Sequence, residues 1–330
     1  MEITMARRRN SSSKNFGKGN KPEYATKVAL NEHFVNGHKS TVKTHTERSK
    51  LFYDWLDEEY DIRDIRLITK DIFSEYVLYL KLLMNEEEIA VSTATNRIST
   101  VNMVLEIIRG DCKVRIDEIS KALDKKRCYI RRSIPDGMDI SQVHNLHKEL
   151  IANGHPRSAA IVLLARATGM RLRECILADL PRLTREAENN RINIQNGCKG
   201  GRSGAFAPRW ISVTDEILYA LNYARQVSPA GSRNLLAPDE TYIRFIRREV
   251  NPSRPLMKLH GIKGPHELRA AFACERYKHL VGTAAPVFPY PERAGIQDRD
   301  SVHTARQIIS RELGHERLEV TNSYVGSETR

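Results

Sequence analysis

The sequence predicts a mainly α protein of two domains, with a small antiparallel β-sheet in the C-terminal one. Three observations carry this. The chain has 330 residues, more than a single hydrophobic core comfortably serves. Apolar residues recur at helical spacing through most of it. Only two short stretches, "RINIQNG" and "RWISVT", alternate apolar and polar residues as strands do, and glycines crowd the segment between them.

Taken in order, residues 1–21 hold Arg7, Arg8, Arg9, Lys14, Lys18 and Lys21 against a single acid, Glu2, with serines and glycines among them. This composition reads as a flexible basic arm that folds only on a partner. Residues 22–123 read as a helical bundle. In "THTERSKLFYDWLDEEYD" the apolar Leu51, Phe52 and Trp55 fall at helical spacing, and Ile72, Tyr76, Val77, Leu80 and Leu83 repeat the pattern. "STATNRISTVNMVLEIIRG" repeats it with Ile98, Val101, Val104, Leu105 and Ile108, and stops at Gly110 as helices often do. Residues 124–137 form a linker carrying Lys125, Lys126, Arg127, Arg131 and Arg132, then Pro135 and Gly137. So many cations on a linker make sense if it lies on phosphate. The second domain, 138–330, opens with two helices. The latter, "RSAAIVLLARATG", is apolar nearly all round and is expected to be buried centrally. The two strands follow, and helices dominate from 215 onward.

Composition narrows the function. A net charge of +12, spread along the chain, fits a protein that follows a polyanion, although charge alone does not separate DNA from RNA. Five scattered cysteines with no C-x-x-C pair argue against a disulfide framework and a zinc knuckle. No run of eighteen apolar residues is available to cross a membrane, and the basic start has no apolar segment behind it. A P-loop and a G-x-G-x-x-G fingerprint are both missing, so ATP use is not indicated and no cofactor is expected. His144 and His147 share a helix face with no further ligand nearby; both are read as surface residues, and no metal is expected.

Four stretches offer cations or proton donors suited to a phosphodiester. In "ATGMRLRECILADL", Arg171 opens a helix with Glu174 one turn on, an arrangement that fixes a guanidinium fork but also describes an ordinary helix-start ion pair. In "NGCKGGRSGAFAPRW", Lys199 sits at a glycine-rich hairpin tip that could approach a groove closely, or simply be an exposed turn. In "GPHELRAAFACERY", His266 and Arg269 are one helical turn apart. Finally, "RELGHERLEVTNSYVGSETR" sets His315 nine residues before Tyr324, which is also what a helix cap and a core-packed tyrosine produce.

In this order, T-G-x-R-x-x-E, hairpin G-x-K-G, H-x-L-R, L-G-H and a tyrosine nine residues on resemble the tyrosine recombinase (phage integrase) family. The first domain is similar to that family's core-binding domain around "VSTATNRIST", so the likeness spans roughly residues 25–330. It implies a helical core-binding domain and a catalytic domain that together form a clamp on duplex DNA. Arg171 and Arg269, supported by Glu174, would hold the scissile phosphate, and Tyr324 would attack it to leave a 3′-phosphotyrosyl link. Lys199 would protonate the leaving 5′-oxygen, His266 would assist proton transfer, and His315 would donate a hydrogen bond to the phosphate. A free phenol has a pKa of about 10, and nearby guanidiniums compensate for its poor nucleophilicity without metal or ATP.

Further DNA contacts are expected from Arg7, Arg8 and Arg9 of the arm, from Thr95, Asn96 and Arg97, from the five linker cations, and from Arg202 of the hairpin. Removing the arm is expected to weaken mainly salt-sensitive binding. The implied activity is site-specific recombination through a Holliday junction, by a homotetramer on two DNA sites, with accessory DNA-bending or directionality proteins as further partners. It implies a phage- or bacterium-encoded protein of the cytoplasm, associated with the nucleoid. A type IB-like topoisomerase and a non-catalytic DNA-binding regulator are the alternatives. Two departures from the family pattern stand out. The Arg269–His315 gap is long and holds Pro286, Pro289 and Pro291, which reads as a surface insertion contacting a neighbouring subunit or flanking DNA. Six residues follow Tyr324, so subunit contacts are expected to run through the tyrosine's own helix.

Overall fold

The computed structural model describes residues 13–35, 38–198, 207–290, 292–293 and 298–327. The chain divides into two compact units between Cys128 and Tyr129, each with its own core. The division falls inside the stretch read as a linker.

The first unit is helical. Helix α1 (Pro22–His33) starts at a proline, whose fixed φ suits a first turn, and α2 (Lys39–Tyr60) ends where Asp61 turns left-handed. Helix α3 (Lys70–Asn85) is capped by Thr69, whose hydroxyl accepts the Ile72 N–H, and α4 (Val91–Arg109) ends at left-handed Gly110. Phe52 and Trp55 of α2 pack tilted against Tyr76 of α3 at centroid separations of 4.8 and 5.1 Å, in one core with Ile98, Val101, Leu105 and Ile108 of α4. Leu51 does not join them: it is 42% exposed, because Phe52 rather than Leu51 occupies the inward position of that turn. A short helix α5 (Ile119–Ala122) closes the unit. Buried Asn102 ties the segment before it to α4, exchanging two hydrogen bonds with the Ile116 backbone at 2.8 and 2.9 Å.

Part of the stretch expected as a basic arm, 1–21, is folded. Residues Lys14–Gly17 form a tight turn in which Asn15 is fully buried, with Asn15 and Phe16 both left-handed. The Asn15 side chain accepts from Ile65 N–H at 2.8 Å, and its own N–H donates to Asp64 at 2.9 Å. Those bonds offset an unfavourable backbone, so the turn is part of the first unit.

In the second unit, α6 (Ile140–Ala152) and α7 (Pro156–Thr168) come first, and α7 is the central helix that its composition predicts: every residue from Ser158 to Arg166 is buried. Then α8 (Leu172–Leu177) and α9 (Leu180–Ala187) lead to strand β1 (Arg191–Asn193), which pairs antiparallel with β2 (Trp210–Ser212), Ile192 opposite Ile211. Next come α10 (Asp215–Val227), the run α11 (Tyr242–Phe245) and α12 (Asn251–Leu259) joined through a π turn, and α13 (Pro265–Val281). Helix α14 (Arg299–Glu312) and the four-residue α15 (Asn322–Val325) finish the unit. Helices α6, α10 and α13 pack around α7.

Two readings of this unit need correction. His147 is not a surface residue; it is 6% exposed, its ring set edge-on against Tyr223 at 4.5 Å, while His144 is exposed. The insertion after α13 is not wholly a surface loop either. Ala285 and Pro286 are buried, and the Val287 N–H donates to the Val325 carbonyl at 2.9 Å.

Candidate active site

The site is built where α7 ends. Gly169 ends that helix in a left-handed conformation, φ +64°, and a Cβ there would lie 2.5 Å from the Phe272 ring. Glycine is therefore required by both backbone and space. Its carbonyl accepts from Arg269 Nη1 and, at 3.3 Å, from Arg209 Nη2. Two residues on, Arg171 is the N-cap of α8 and Glu174 its third residue. The Glu174 carboxylate reaches back to the Arg171 N–H at 2.7 Å while Arg171 Nη1 donates to its other oxygen at 2.8 Å. The helix start thus fixes the guanidinium, as the spacing predicts.

Glu174 is fully buried and serves a second arginine, Arg209, whose Nη1 donates to it at 2.6 Å. Burial pushes the Glu174 carboxyl up, but Arg209, the Arg171 N–H and the Arg171 charge outweigh this and hold it at about 2. Arg209 is anchored further by Nε donating to the Glu312 carbonyl at 2.6 Å. Sequence reading overlooked this residue. One signal was present: Arg209 lies two positions before buried Ile211, and strand alternation turns both inward, so an arginine there needs a buried partner.

Arg269, on α13, is 0% exposed. Its Nη2 donates to the Leu313 carbonyl at 2.5 Å and faces His315 Nε2 at 3.2 Å, and its Nε donates to the Tyr324 hydroxyl at 3.2 Å. Arg171 Nη2 faces the same His315 nitrogen at 3.3 Å, and the Tyr324 hydroxyl lies 3.3 Å from it. A guanidinium only donates, so that nitrogen is an acceptor and the imidazole is neutral, its proton on Nδ1. Burial, then the charges of Arg269, Arg171 and Arg209, pull His315 down to about 3. Burial also pulls Arg269 down to about 10, still above neutral pH. His266 packs its ring 5.5 Å from that of Tyr324 and is lowered by burial and by Arg269.

The arrangement is chemically suited to an anion and holds a phenol beside the guanidiniums. Three guanidiniums face one carboxylate, and an anion entering this buried surplus of charge gains far more than it would in water. A groove of about 1220 Å³ opens onto it, lined by Arg171, Arg209, Arg311, His315, Arg317 and Tyr324 among others. Arg269 lies behind that lining. The donors it can offer an incoming anion are those now given to His315 and Tyr324; Tyr324 itself is 4% exposed.

Of the residues expected in the site, Arg171, Glu174, His266, Arg269, His315 and Tyr324 come together. Lys199 and Arg202 lie outside the described residues, as do Arg7, Arg8 and Arg9. Thr95, Asn96 and Arg97 sit half-buried on α4 in the first unit, where the Thr95 hydroxyl donates to Val91 O at 2.8 Å and Asn96 accepts from Arg127 at 3.2 Å. Lys125, Lys126 and Arg132 are exposed. Arg131 is not free for phosphate, because its guanidinium is bound to both oxygens of Glu267. Among the described residues no cluster of His, Cys, Asp and Glu could hold a metal ion, and no helix is long and apolar enough to cross a membrane.

No family model and no curated protein matches the sequence. Solved structures do. The fold is similar to that of the Tn1549 transposon integrase in complex with transposon right end DNA, at 16% identity over 92% of this chain and 94% of that one, TM-score 0.56. It is similar again to the same integrase in complex with circular intermediate DNA, at 16% identity over 92% and 94% of the two chains, TM-score 0.58.

Proposed function

We propose that this chain, whose fold is that of the tyrosine recombinases, is a site-specific DNA recombinase that cleaves and rejoins strands through Tyr324. The observation that supports it best is the convergence of Arg171, Arg269 and the Tyr324 hydroxyl on one nitrogen of His315, at 3.2 to 3.3 Å. Three donors gathered around one acceptor mark the place where phosphate oxygens would be received.

In this reading the Tyr324 hydroxyl passes its proton to His315 Nε2, 3.3 Å away, and the Tyr324 oxygen forms a bond to phosphorus as the bond from phosphorus to the 5′-oxygen breaks. The non-bridging oxygens take the Arg171 and Arg269 donors now turned to His315, so charge gathering in the transition state meets fixed guanidiniums. His315 then loses two cationic neighbours to the phosphate and gains an anionic one, which favours a proton on Nε2 and turns it from acceptor to donor. Lys199 supplies the proton to the leaving 5′-hydroxyl. Rejoining is the reverse step, in which a 5′-hydroxyl displaces Tyr324, and four copies on two sites exchange strands in this way. The bond energy stays in the phosphotyrosyl link, so no nucleotide is consumed.

The test lets the protein select its own target. The native chain is mixed with a random-sequence pool of nicked duplexes, stripped under denaturing conditions, and the DNA still attached is sequenced. The reading expects one enriched sequence joined by its 3′ end to Tyr324, and none with Tyr324→Phe. An adduct that persists in Tyr324→Phe, or no adduct from the native chain, overturns it. Efficient relaxation of supercoiled plasmid lacking the enriched sequence would favour topoisomerase chemistry instead.

A further inference from the structure

Helix α15, which carries Tyr324, has only four residues, Asn322–Val325, too few to hold a helical conformation unaided. Its support comes from α14, from α13 and the segment after it, and from the backbone of Arg131. The Arg306 guanidinium spans both ends: Nη1 donates to Asn322 Oδ1 at 2.7 Å and to Thr321 Oγ1 at 3.3 Å, while Nη2 donates to the Gly326 carbonyl at 3.0 Å. Three of the helix's four carbonyls are also taken. Asn322 O accepts from the Arg131 N–H at 2.9 Å, Tyr324 O from the Cys274 thiol at 3.5 Å, and Val325 O from the Val287 N–H at 2.9 Å. Gly326 is left-handed, φ +81°, and a Cβ there would come within 2.8 Å of Val287 N, so this close approach of two backbones admits only glycine.

From these contacts we infer that Arg306 is a positioning residue for the nucleophile, and that residues 285–288 form a strap that completes its work. The inference rests on Tyr324 being that nucleophile. Arg306 reaches neither the Tyr324 hydroxyl nor the arginines around it; it acts on the helix that aims the phenol. Because it grips both ends of so short a helix, its loss frees the helix to rotate or slide, and the hydroxyl leaves Arg269 and His315. The long segment between Arg269 and His315 thus has a use within its own unit, through residues buried against the tyrosine's backbone.

The test uses the full chain with Arg306→Ala, Arg306→Lys and Asn322→Ala, and 3-fluorotyrosine at position 324 as a probe. Without DNA, the native chain should show one fluorine resonance. Arg306→Ala should shift and broaden it, and Arg306→Lys should recover part of the native signal. On the duplex captured by Tyr324, Arg306→Ala should bind within about twofold of native yet form adduct about 100-fold more slowly, the scale expected of a reactant misplaced by about 1 Å. A native fluorine line together with a native adduct rate in Arg306→Ala overturns the inference. Should Arg306→Ala fail to fold, Asn322→Ala removes a single acceptor, and the same two readouts decide. If the native chain forms no adduct, the recombinase reading fails, while the fluorine line still decides whether Arg306 braces the helix.

Discussion

His315 shows how much of the site is set by a single atom. Its Nε2 accepts from two guanidiniums, so protonating it in the folded chain would place a third cation against Arg171 and Arg269. The ordinary value of 6.5 falls to about 3 first because the ring is buried, and then because of those neighbouring charges. The sign follows. As pH falls below 6.5 the unfolded chain takes up this proton and the folded chain does not until about 3, so the stability that neutral His315 contributes is present above 6.5 and lost across that interval. Urea midpoints measured from pH 7 to pH 4 should therefore decline more steeply for the native chain than for His315→Asn; parallel curves would contradict the assignment. At this scale the sequence was readable where spacing fixes geometry. Arg171 and Glu174, three apart at a helix start, and His266 and Arg269, three apart on α13, could be placed together from their numbers alone. For Arg209, alternation with Ile211 signals only an inward position; no spacing links it to Glu174, and the contact that reveals what it does is visible in the structure alone.

At the scale of elements, α7 is the part most plainly written in the sequence. A helix apolar on every side has nowhere to go but the middle, and α6, α10 and α13 surround it. Because Gly169 and Arg171 follow directly from its C-terminus, packing of α7 also sets the position of the anion site. Leu164 is fully buried in this helix, and truncating a leucine in such a place costs about 2–5 kcal/mol through lost burial and the cavity left behind. Leu164→Ala should lower the urea stability of the second unit by that amount; a change below about 1 kcal/mol would mean that the core relaxes into the gap. Elements held by non-local bonds were less readable. The turn at Lys14–Gly17 depends on left-handed Asn15 and Phe16, and its support includes bonds to Asp64 and Ile65, far along the chain, beside the local bond from Asn15 Nδ2 to the Gly19 carbonyl. The strap after α13 looked like surface because its prolines and glycines say where helices end, not what a backbone N–H will find. His147 was misplaced for a related reason: a histidine on a helix face carries no sign of whether an aromatic neighbour such as Tyr223 will cover it.

For the molecule as a whole, the decisive feature is that one unit contains every part of the site that the structure describes. Arg171, Arg209, Arg269, His315 and Tyr324 all belong to residues 129–330, and so do Arg306 and Val287, which fix the helix bearing the tyrosine. On the proposed function, a tyrosine braced at both ends within its own unit, with its hydroxyl already 3.2 Å from Arg269 Nε, is expected to attack the phosphate held by its own arginines. Mixing two inactive chains tests this. Tyr324→Phe keeps the guanidiniums and lacks the phenol; Arg171→Ala keeps the phenol and lacks a guanidinium. If each tyrosine works in its own site, the mixture on the captured duplex should form no more adduct than Arg171→Ala does alone. If the tyrosine of one chain entered the site of another, the mixture would regain adduct, all of it on the Arg171→Ala chain, which a size tag identifies. That result would mean the brace around α15 opens when copies assemble on DNA, and the Tyr324–Arg269 hydrogen bond would then belong to a resting arrangement and not to the one that cleaves.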